Sequence, residues 1–227
     1  KKILKVVVGA ALLECGIAIL QYFLQHSLGL KFLGEPSLTS RHIAPAAFLV
    51  SDGTRWIVDR WMGYGGGEPG KILRAVGTLP HANVLGGFLV CSLLASYALF
   101  REWRWMGVAI GLQVFTLLIT YSRAALFVWL ITTGIWFVLA YLRGERPERP
   151  WRLVGAVAGS ALVCFFLFYS QWWERGGVIS YTALVQKADM LRLGYQGAAL
   201  AMIQSHPLLG VGFGQFMLHL QDYTQIA

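Results

Sequence analysis

This chain is poor in charged residues. Only 13% of its 227 residues are Asp, Glu, Lys or Arg, whereas soluble domains carry about 25%. Hydrophobic residues make up 56% of the chain, and the mean hydropathy is +0.57. This balance excludes an ordinary soluble domain and a disordered segment, and it indicates an integral membrane protein.

Residues that build metal sites and disulfide frameworks are also scarce. The three cysteines, Cys15, Cys91 and Cys164, all lie inside apolar runs and have no partner at metal-site spacing. We find no internal repeat, no Ser-His-Asp set and no pair of acids spaced as in a glycosidase or a metal site. We therefore expect neither a metal ion nor another cofactor.

The apolar residues fall into long runs, each close to the roughly 20 residues that cross a bilayer. Five spans are predicted, at residues 6–24, 83–100, 105–121, 124–142 and 153–169. The predicted fold class is an all-α integral membrane protein, a multi-span helical bundle forming one membrane domain over residues 1–227. Two long segments, 25–82 and 170–227, are left between and after the spans, and we expect additional helices there.

The formal net charge is +8, but the positive residues are distributed by loop and do not line one amphipathic face. This pattern disfavours nucleic acid as a partner. Lys and Arg cluster before residue 6, at 101–104 and at 143–152, so the positive-inside rule predicts a cytoplasmic N-terminus. Segments 25–82 and 170–227 then face outward. Because the chain starts at Lys1 and not at Met, we interpret it as part of a longer protein.

Arg123 lies where two apolar runs meet. A guanidinium stays charged and can form paired hydrogen bonds to phosphate oxygens, which suits a lipid-linked diphosphate at a membrane surface. An arginine that merely anchors the end of a span by snorkelling explains the same position equally well. Arg192 stands just before a predicted helix at 195–204, where its charge opposes the helix dipole, so a ligand or a carboxylate partner is expected for it.

Four further residues are candidates for supporting a site. Arg74 precedes the sequence Gly-Thr-Leu-Pro-His-Ala-Asn at 77–83, which leads into the second span. For His81 we favour a structural hydrogen bond over a role as base, and for Asn83 we favour capping of the span. Glu14 lies mid-span, where an ionised carboxylate is costly. It should be protonated, hydrogen-bonded to another helix or facing a polar cavity.

The order of these motifs resembles the O-antigen ligase and polymerase family of bacterial envelope glycosyltransferases. The resemblance covers residues 14–216 and rests on Gly-Thr-x-x-His-x-Asn at 77–83, Ser-Arg at 122–123 and His-Pro-x-x-Gly-x-Gly at 206–212. It implies a GT-C-like enzyme of the inner membrane that takes a glycan from undecaprenyl diphosphate on the periplasmic face. The implied acceptor is lipid A core, a growing polysaccharide or a protein, and Arg123 and Arg192 match the residues that contact the diphosphate.

The family's catalytic histidine, followed by Asn, comes after the Gly-x-Gly segment. His219 is not followed by Asn, so we expect the general base beyond Ala227. The expected partners are the glycan donor, a lipid or glycan acceptor and membrane lipids. Two alternatives stay open: a transporter of a small anion with Glu14 in proton coupling, and a non-catalytic scaffold of an envelope assembly complex.

Overall fold

A computed structural model describes residues 1–36, 47–49, 71–100, 105–144, 150–175, 183–208 and 210–223. Most of these residues are helical. In chain order the elements are α1 (Lys2–Leu24), a 3₁₀ turn (Lys31–Leu33), β1 (Ala47–Leu49), β2 (Lys71–Leu73), α2 (Ala82–Leu99), α3 (Met106–Ile119), α4 (Arg123–Leu142), α5 (Pro150–Arg175), α6 (Ala183–Ser205) and α7 (Phe216–Tyr223). The chain forms two compact units, Lys1–Gly176 and Gly177–Ala227.

Each of the five predicted spans corresponds to a helix of the first unit, α1 to α5. Among the described residues, three helices are long and apolar enough to cross a membrane: α1, α2 and α4. Helix α3 is shorter than the span predicted at 105–121. It has only 14 residues and is therefore about 21 Å long. Within α5 the described apolar stretch is Val157–Leu167, which is also short.

The prediction of an all-α fold missed a small antiparallel sheet. In it, β1 pairs with β2, so that Ala47 lies opposite Leu73 and Leu49 lies opposite Lys71. The partners are separated by more than twenty residues in the chain, and no two-residue hairpin turn marks them in the sequence. The sheet matters because β2 leads directly into the segment that precedes α2.

Helix α2 packs against α1, α3 and α4 in the first unit. Its close approach to α4 depends on Gly86, where a Cβ atom would lie 2.7 Å from the Cβ of Ala125. Small residues at such a crossing let two apolar helices come together without a hydrophobic driving force between them. The outer side of α4 remains exposed and apolar, with Phe127 and Leu130 more than 60% exposed, as expected for a surface in contact with lipid.

Polar side chains link these helices inside the apolar core. The Trp129 indole on α4 donates to the hydroxyl of Tyr97 on α2 at 2.9 Å, and the Gln113 amide on α3 donates to Ser96 on α2 at 2.9 Å. All four side chains are buried. Such hydrogen bonds between apolar helices define their register, each contributing about 0.6 kcal/mol.

The second unit consists of α6 and α7. Helix α6 ends at Ser205, directly before His206 and Pro207, as the sequence predicts. The connection to α7 has three glycines with positive φ, at 210, 212 and 214. The Ser205 and Tyr223 hydroxyls lie 2.9 Å apart, which ties the end of α6 to the end of α7.

Candidate functional site

The α3–α4 turn, residues 120–123, presents Arg123. Tyr121 has a left-handed backbone conformation with φ 50°, which reverses the chain within three residues. The Ser122 hydroxyl then caps α4 by accepting from the Ala125 amide at 3.4 Å. Tyr121 is fully buried, and its hydroxyl lies 2.7 Å from that of Tyr22 on α1. This buried pair holds the turn against α1.

Arg123 is the first residue of α4, and its side chain is exposed. In the described part of the chain no acid lies in the first turn of α4, and no hydrogen bond or ion pair engages the guanidinium. A cation at the positive end of a helix opposes the dipole instead of complementing it. The arrangement is unfavourable for the isolated helix and favourable for an anion, which would meet the guanidinium and the helix end together.

Arg74 stabilises the α3–α4 turn through hydrogen bonds and is only 4% exposed. Its Nε donates to the Thr120 carbonyl at 2.7 Å, and its Nη2 donates to Asn83 Oδ1 at 2.8 Å. Next to it, the Ala75 amide donates to the Ile119 carbonyl at 3.2 Å. These bonds assign Arg74 to positioning the turn that carries Arg123.

His81 caps α2, and Asn83 does not, contrary to the prediction for Asn83. The His81 Nδ1 accepts from the Asn83 amide at 2.9 Å, so this nitrogen carries no proton. The Asn83 side chain is instead occupied by Arg74. The expected structural hydrogen bond of His81 is confirmed, and both residues belong to the support of the α3–α4 turn.

A polar face of α1 receives the segment that leads from β2 to α2. Gln25 pairs with the Leu73 backbone, where Leu73 N donates to Gln25 Oε1 at 2.8 Å. Gln21 pairs with Gly77 in both directions, at 2.8 Å and 3.0 Å. Glu14 accepts from the Thr78 amide at 2.9 Å and also from its hydroxyl. The three side chains satisfy a non-helical backbone that lies against the helix.

The segment 73–78 therefore runs along α1 from Gln25 to Glu14. Eleven residues of α-helix correspond to about 16 Å, which is half of a hydrocarbon core of about 30 Å. Irregular backbone at such a depth is tolerated only where protein or a water-filled cavity covers it. Residues 73–78 thus follow α1 from its C-terminal end to its middle, where Thr78 meets Glu14.

Glu14 has the hydrogen-bonded state expected of a mid-span acid, although its partner is in a loop and not on another helix. Its carboxylate also closes on Gly77, where a Cβ atom would lie 2.2 Å from Glu14 Oε2. Gly77 has φ 69°, so both its backbone and its surroundings require glycine. The Gly-Thr pair at 77–78 is thereby explained by its contacts with Glu14.

Glu35 closes the turn that follows α1 and is 6% exposed. Its carboxylate accepts from Gln21 Nε2 at 2.7 Å, from the Leu28 amide at 2.6 Å and from the Leu30 amide at 2.5 Å. Burial alone would raise the pKa of this carboxyl, but the hydrogen bonds from Leu28, Gln21 and Leu30 outweigh it and lower the pKa below 4.5. The ionised form is the one that the turn binds.

Acid should therefore loosen this turn. A carboxyl whose pKa is lower in the folded state stabilises the fold above its unfolded-state pKa, and this stability is lost as the pH falls through the folded-state pKa. We expect the Tm of the wild type in detergent to fall between pH 5 and pH 3. Glu35→Gln should lower the Tm at pH 7 and flatten that decline, and a decline that stays equally steep in Glu35→Gln would contradict the assignment.

The structure joins Arg74, His81, Asn83 and the turn bearing Arg123 into one bonded group. Glu14 belongs to the same segment through Thr78. Arg192 lies within α6 of the second unit, which begins at Ala183, so the prediction that Arg192 precedes the start of a helix was wrong. The structure describes its backbone but not its side chain. The predicted pairing of Arg123 with Arg192 on one ligand thus stays a prediction.

Sequence reasoning missed the residues that hold the site together, namely Gln21, Gln25, Glu35 and Tyr22. A signal for the first two was present. Glu14, Gln21 and Gln25 are spaced by seven and four residues, which places them on one face of a helix. A polar stripe on an otherwise apolar helix indicates a buried polar partner.

Comparisons of the chain with protein-family models, with curated proteins and with solved structures found no match.

Proposed function

We propose that the chain is the diphosphate-binding part of a membrane glycosyltransferase that moves a glycan from undecaprenyl diphosphate to an envelope acceptor. The observation that carries the proposal is Arg123, an exposed guanidinium at the positive end of α4 with no anionic partner among the described residues. A diphosphate supplies the missing charge. The lipid carrier and the sugar are inferred from the resemblance in motif order.

Support for this function also comes from how Arg123 is held. The Thr120 carbonyl of its turn accepts from Arg74, and the Ile119 carbonyl just before the turn accepts from the Ala75 amide. The Tyr121 side chain is hydrogen-bonded through its hydroxyl to that of Tyr22. A charged group on a restrained backbone loses less entropy when it binds than one on a mobile loop. Such preorganisation is typical of sites that stabilise charge as it develops.

In the proposed reaction, an acceptor hydroxyl attacks the anomeric carbon of the donor. The bond from that carbon to the diphosphate oxygen breaks, and undecaprenyl diphosphate leaves with the electron pair. Arg123 stabilises the departing negative charge, and the resemblance in motif order implies the same role for Arg192. The acceptor's proton goes to a general base.

Arg123→Ala should weaken binding of undecaprenyl diphosphate by about 10- to 100-fold, because a hydrogen bond to a charged group contributes about 1.5–3 kcal/mol. Arg123→Lys should lose a large part of that affinity despite keeping the charge, since an ammonium cannot form the paired contact. Binding can be measured by native mass spectrometry in detergent. The same variants should lower glycan transfer when the general base is present.

Arg143 offers a matched control at the other end of α4. It is an exposed arginine at the C-terminal cap of the same helix, where the loop charges predict the cytoplasmic side. Arg143→Ala should leave carrier binding within twofold of the wild type. If the Arg123 and Arg143 variants lose the same carrier affinity, Arg123 serves only as a membrane anchor.

We also expect transfer to be independent of divalent metal, because arginines can neutralise the leaving diphosphate where other glycosyltransferases use a metal ion. Transfer from the purified donor should survive EDTA. Strict dependence on added magnesium would contradict Arg123 and Arg192 as the main charge stabilisers. Uptake of anions into proteoliposomes, without transfer, would favour the transporter instead.

A further inference from the structure

A cavity of about 340 Å³ lies beside the mid-point of α1, and Arg123 is not among its described lining residues. Two polar side chains line it, Glu14 and Thr78. Its other described lining residues are Ala10, Leu13, Ile17, Leu33, Leu79 and Phe88. On the open side Leu13 is 73% exposed, so the cavity opens at the apolar surface of α1.

Glu14 brings an acidic group to this apolar cavity. Thr78 donates to both carboxylate oxygens, through its amide and its hydroxyl. A carboxylate has about four acceptor directions, so two donors leave part of its capacity for a ligand. No lysine or arginine is among the described lining residues.

These features select the ligand by its chemistry. An ionised carboxylate in apolar surroundings is costly until a cation compensates it. A metal ion such as Na⁺, Ca²⁺ or Mg²⁺ needs several oxygen ligands, whereas only Glu14 and Thr78 offer side-chain oxygens among the described lining residues. An organic ammonium on an apolar body satisfies both parts of the cavity, the carboxylate and its apolar walls.

We propose that this cavity is a binding site for an amphiphilic amine, with the ammonium group on Glu14 and the apolar body against Leu13, Ile17 and Phe88. The volume is at the lower end of the range for small-molecule sites, which suits a compact ligand. The site does not depend on the proposed glycosyl transfer, because no residue of the α3–α4 turn is among its described lining residues.

The test uses two probes of the same shape, 1-adamantylamine and 1-adamantanol, with the full chain in a zwitterionic detergent. A ligand that binds only the folded state raises its Tm. We expect saturating amine to raise the wild-type Tm by about 3–6 °C and the alcohol to raise it by less than a third as much. Glu14→Gln, which keeps the shape and removes the charge, should abolish the rise.

Two further variants make the result specific. Asp222→Asn removes an equal charge from an exposed residue of the second unit and should keep the full response. Leu79→Trp enlarges an apolar lining residue and keeps the Glu14 carboxylate. It should abolish the response, which keeps the test valid if Glu14→Gln does not fold. Equal responses to amine and alcohol, no response in the wild type, or a response retained in Glu14→Gln would each overturn the proposal.

A second measurement addresses Glu14 directly in the wild type. Dicyclohexylcarbodiimide modifies carboxyl groups in apolar surroundings, and the modified peptide can be quantified by mass spectrometry. The amine should slow modification of Glu14 at least tenfold more than the alcohol does at equal concentration. Unchanged labelling in the presence of the amine would show that the ammonium does not reach Glu14.

Discussion

Gly77→Ala should destabilise the protein by about 2–4 kcal/mol. The new Cβ atom would lie 2.2 Å from Glu14 Oε2, so the carboxylate must move and give up its bonds to Thr78. A left-handed backbone at a residue other than glycine adds about 1–2 kcal/mol, and hydrogen bonds to a charged group account for the rest. Denaturant unfolding in detergent measures the loss.

Gly87→Ala is the matched control. Gly87 lies on an exposed side of α2, and a Cβ atom there would meet nothing within 4 Å. It should be neutral or stabilising by up to about 1 kcal/mol. In a Glu14→Ala background Gly77→Ala should cost only its backbone term, since the colliding carboxylate is gone. A Gly77→Ala variant as stable as Gly87→Ala would refute the described contact.

Arg74→Met should destabilise the protein by about 3–5 kcal/mol. Arg74 is 4% exposed, and its removal leaves the Thr120 carbonyl and the Asn83 side chain without their donor. Thr120 is fully buried, and an unsatisfied buried carbonyl costs more than the net energy of the bond that was lost. Chemical denaturation gives the stability, and native mass spectrometry of the same sample gives the affinity for undecaprenyl diphosphate.

The binding measurement separates positioning from direct contact. Arg74→Met should lower the affinity for the carrier by about tenfold although Arg123 is intact, because the turn that presents Arg123 is released. Arg74→Lys should recover part of the stability, since one ammonium can reach one of the two acceptors. Arg143→Met, at an exposed position, should change stability by less than about 0.5 kcal/mol. If Arg74→Met binds the carrier with full affinity, Arg74 does not position the site.

The helices of the first unit could be predicted because each is a local apolar run. Helix α3 ends earlier than predicted, since its last apolar residues form the turn before Arg123 and not another helical turn. The sheet could not be predicted, because its strands pair across a long connection. The path of 73–78 along α1 could not be predicted either, because it depends on contacts between residues about fifty apart in the chain. Hydropathy predicts that a residue is buried, but it does not identify the residues that pack against it.

For the site, residue chemistry predicted the exposed cation at Arg123 and the constrained state of Glu14. It could not separate Arg74 from Arg123, because both are arginines next to an apolar run. Burial separates them, since one guanidinium is bonded within the protein and the other faces outward. The role of Asn83 was missed for a similar reason, as its side chain could serve either a cap or a distant donor.

The polar face of α1 has a consequence for how the protein is made. Helix α1 ends at Leu24, and Leu73, whose amide donates to Gln25, follows Gln25 by 48 residues. At a synthesis rate of about 5–20 residues per second, several seconds pass before that partner exists. During this interval Glu14, Gln21 and Gln25 lack their partners in the 73–78 backbone, so the newly made helix should lie shallow in the membrane or beside an insertion factor. Its final depth would then be set by a later part of the same chain.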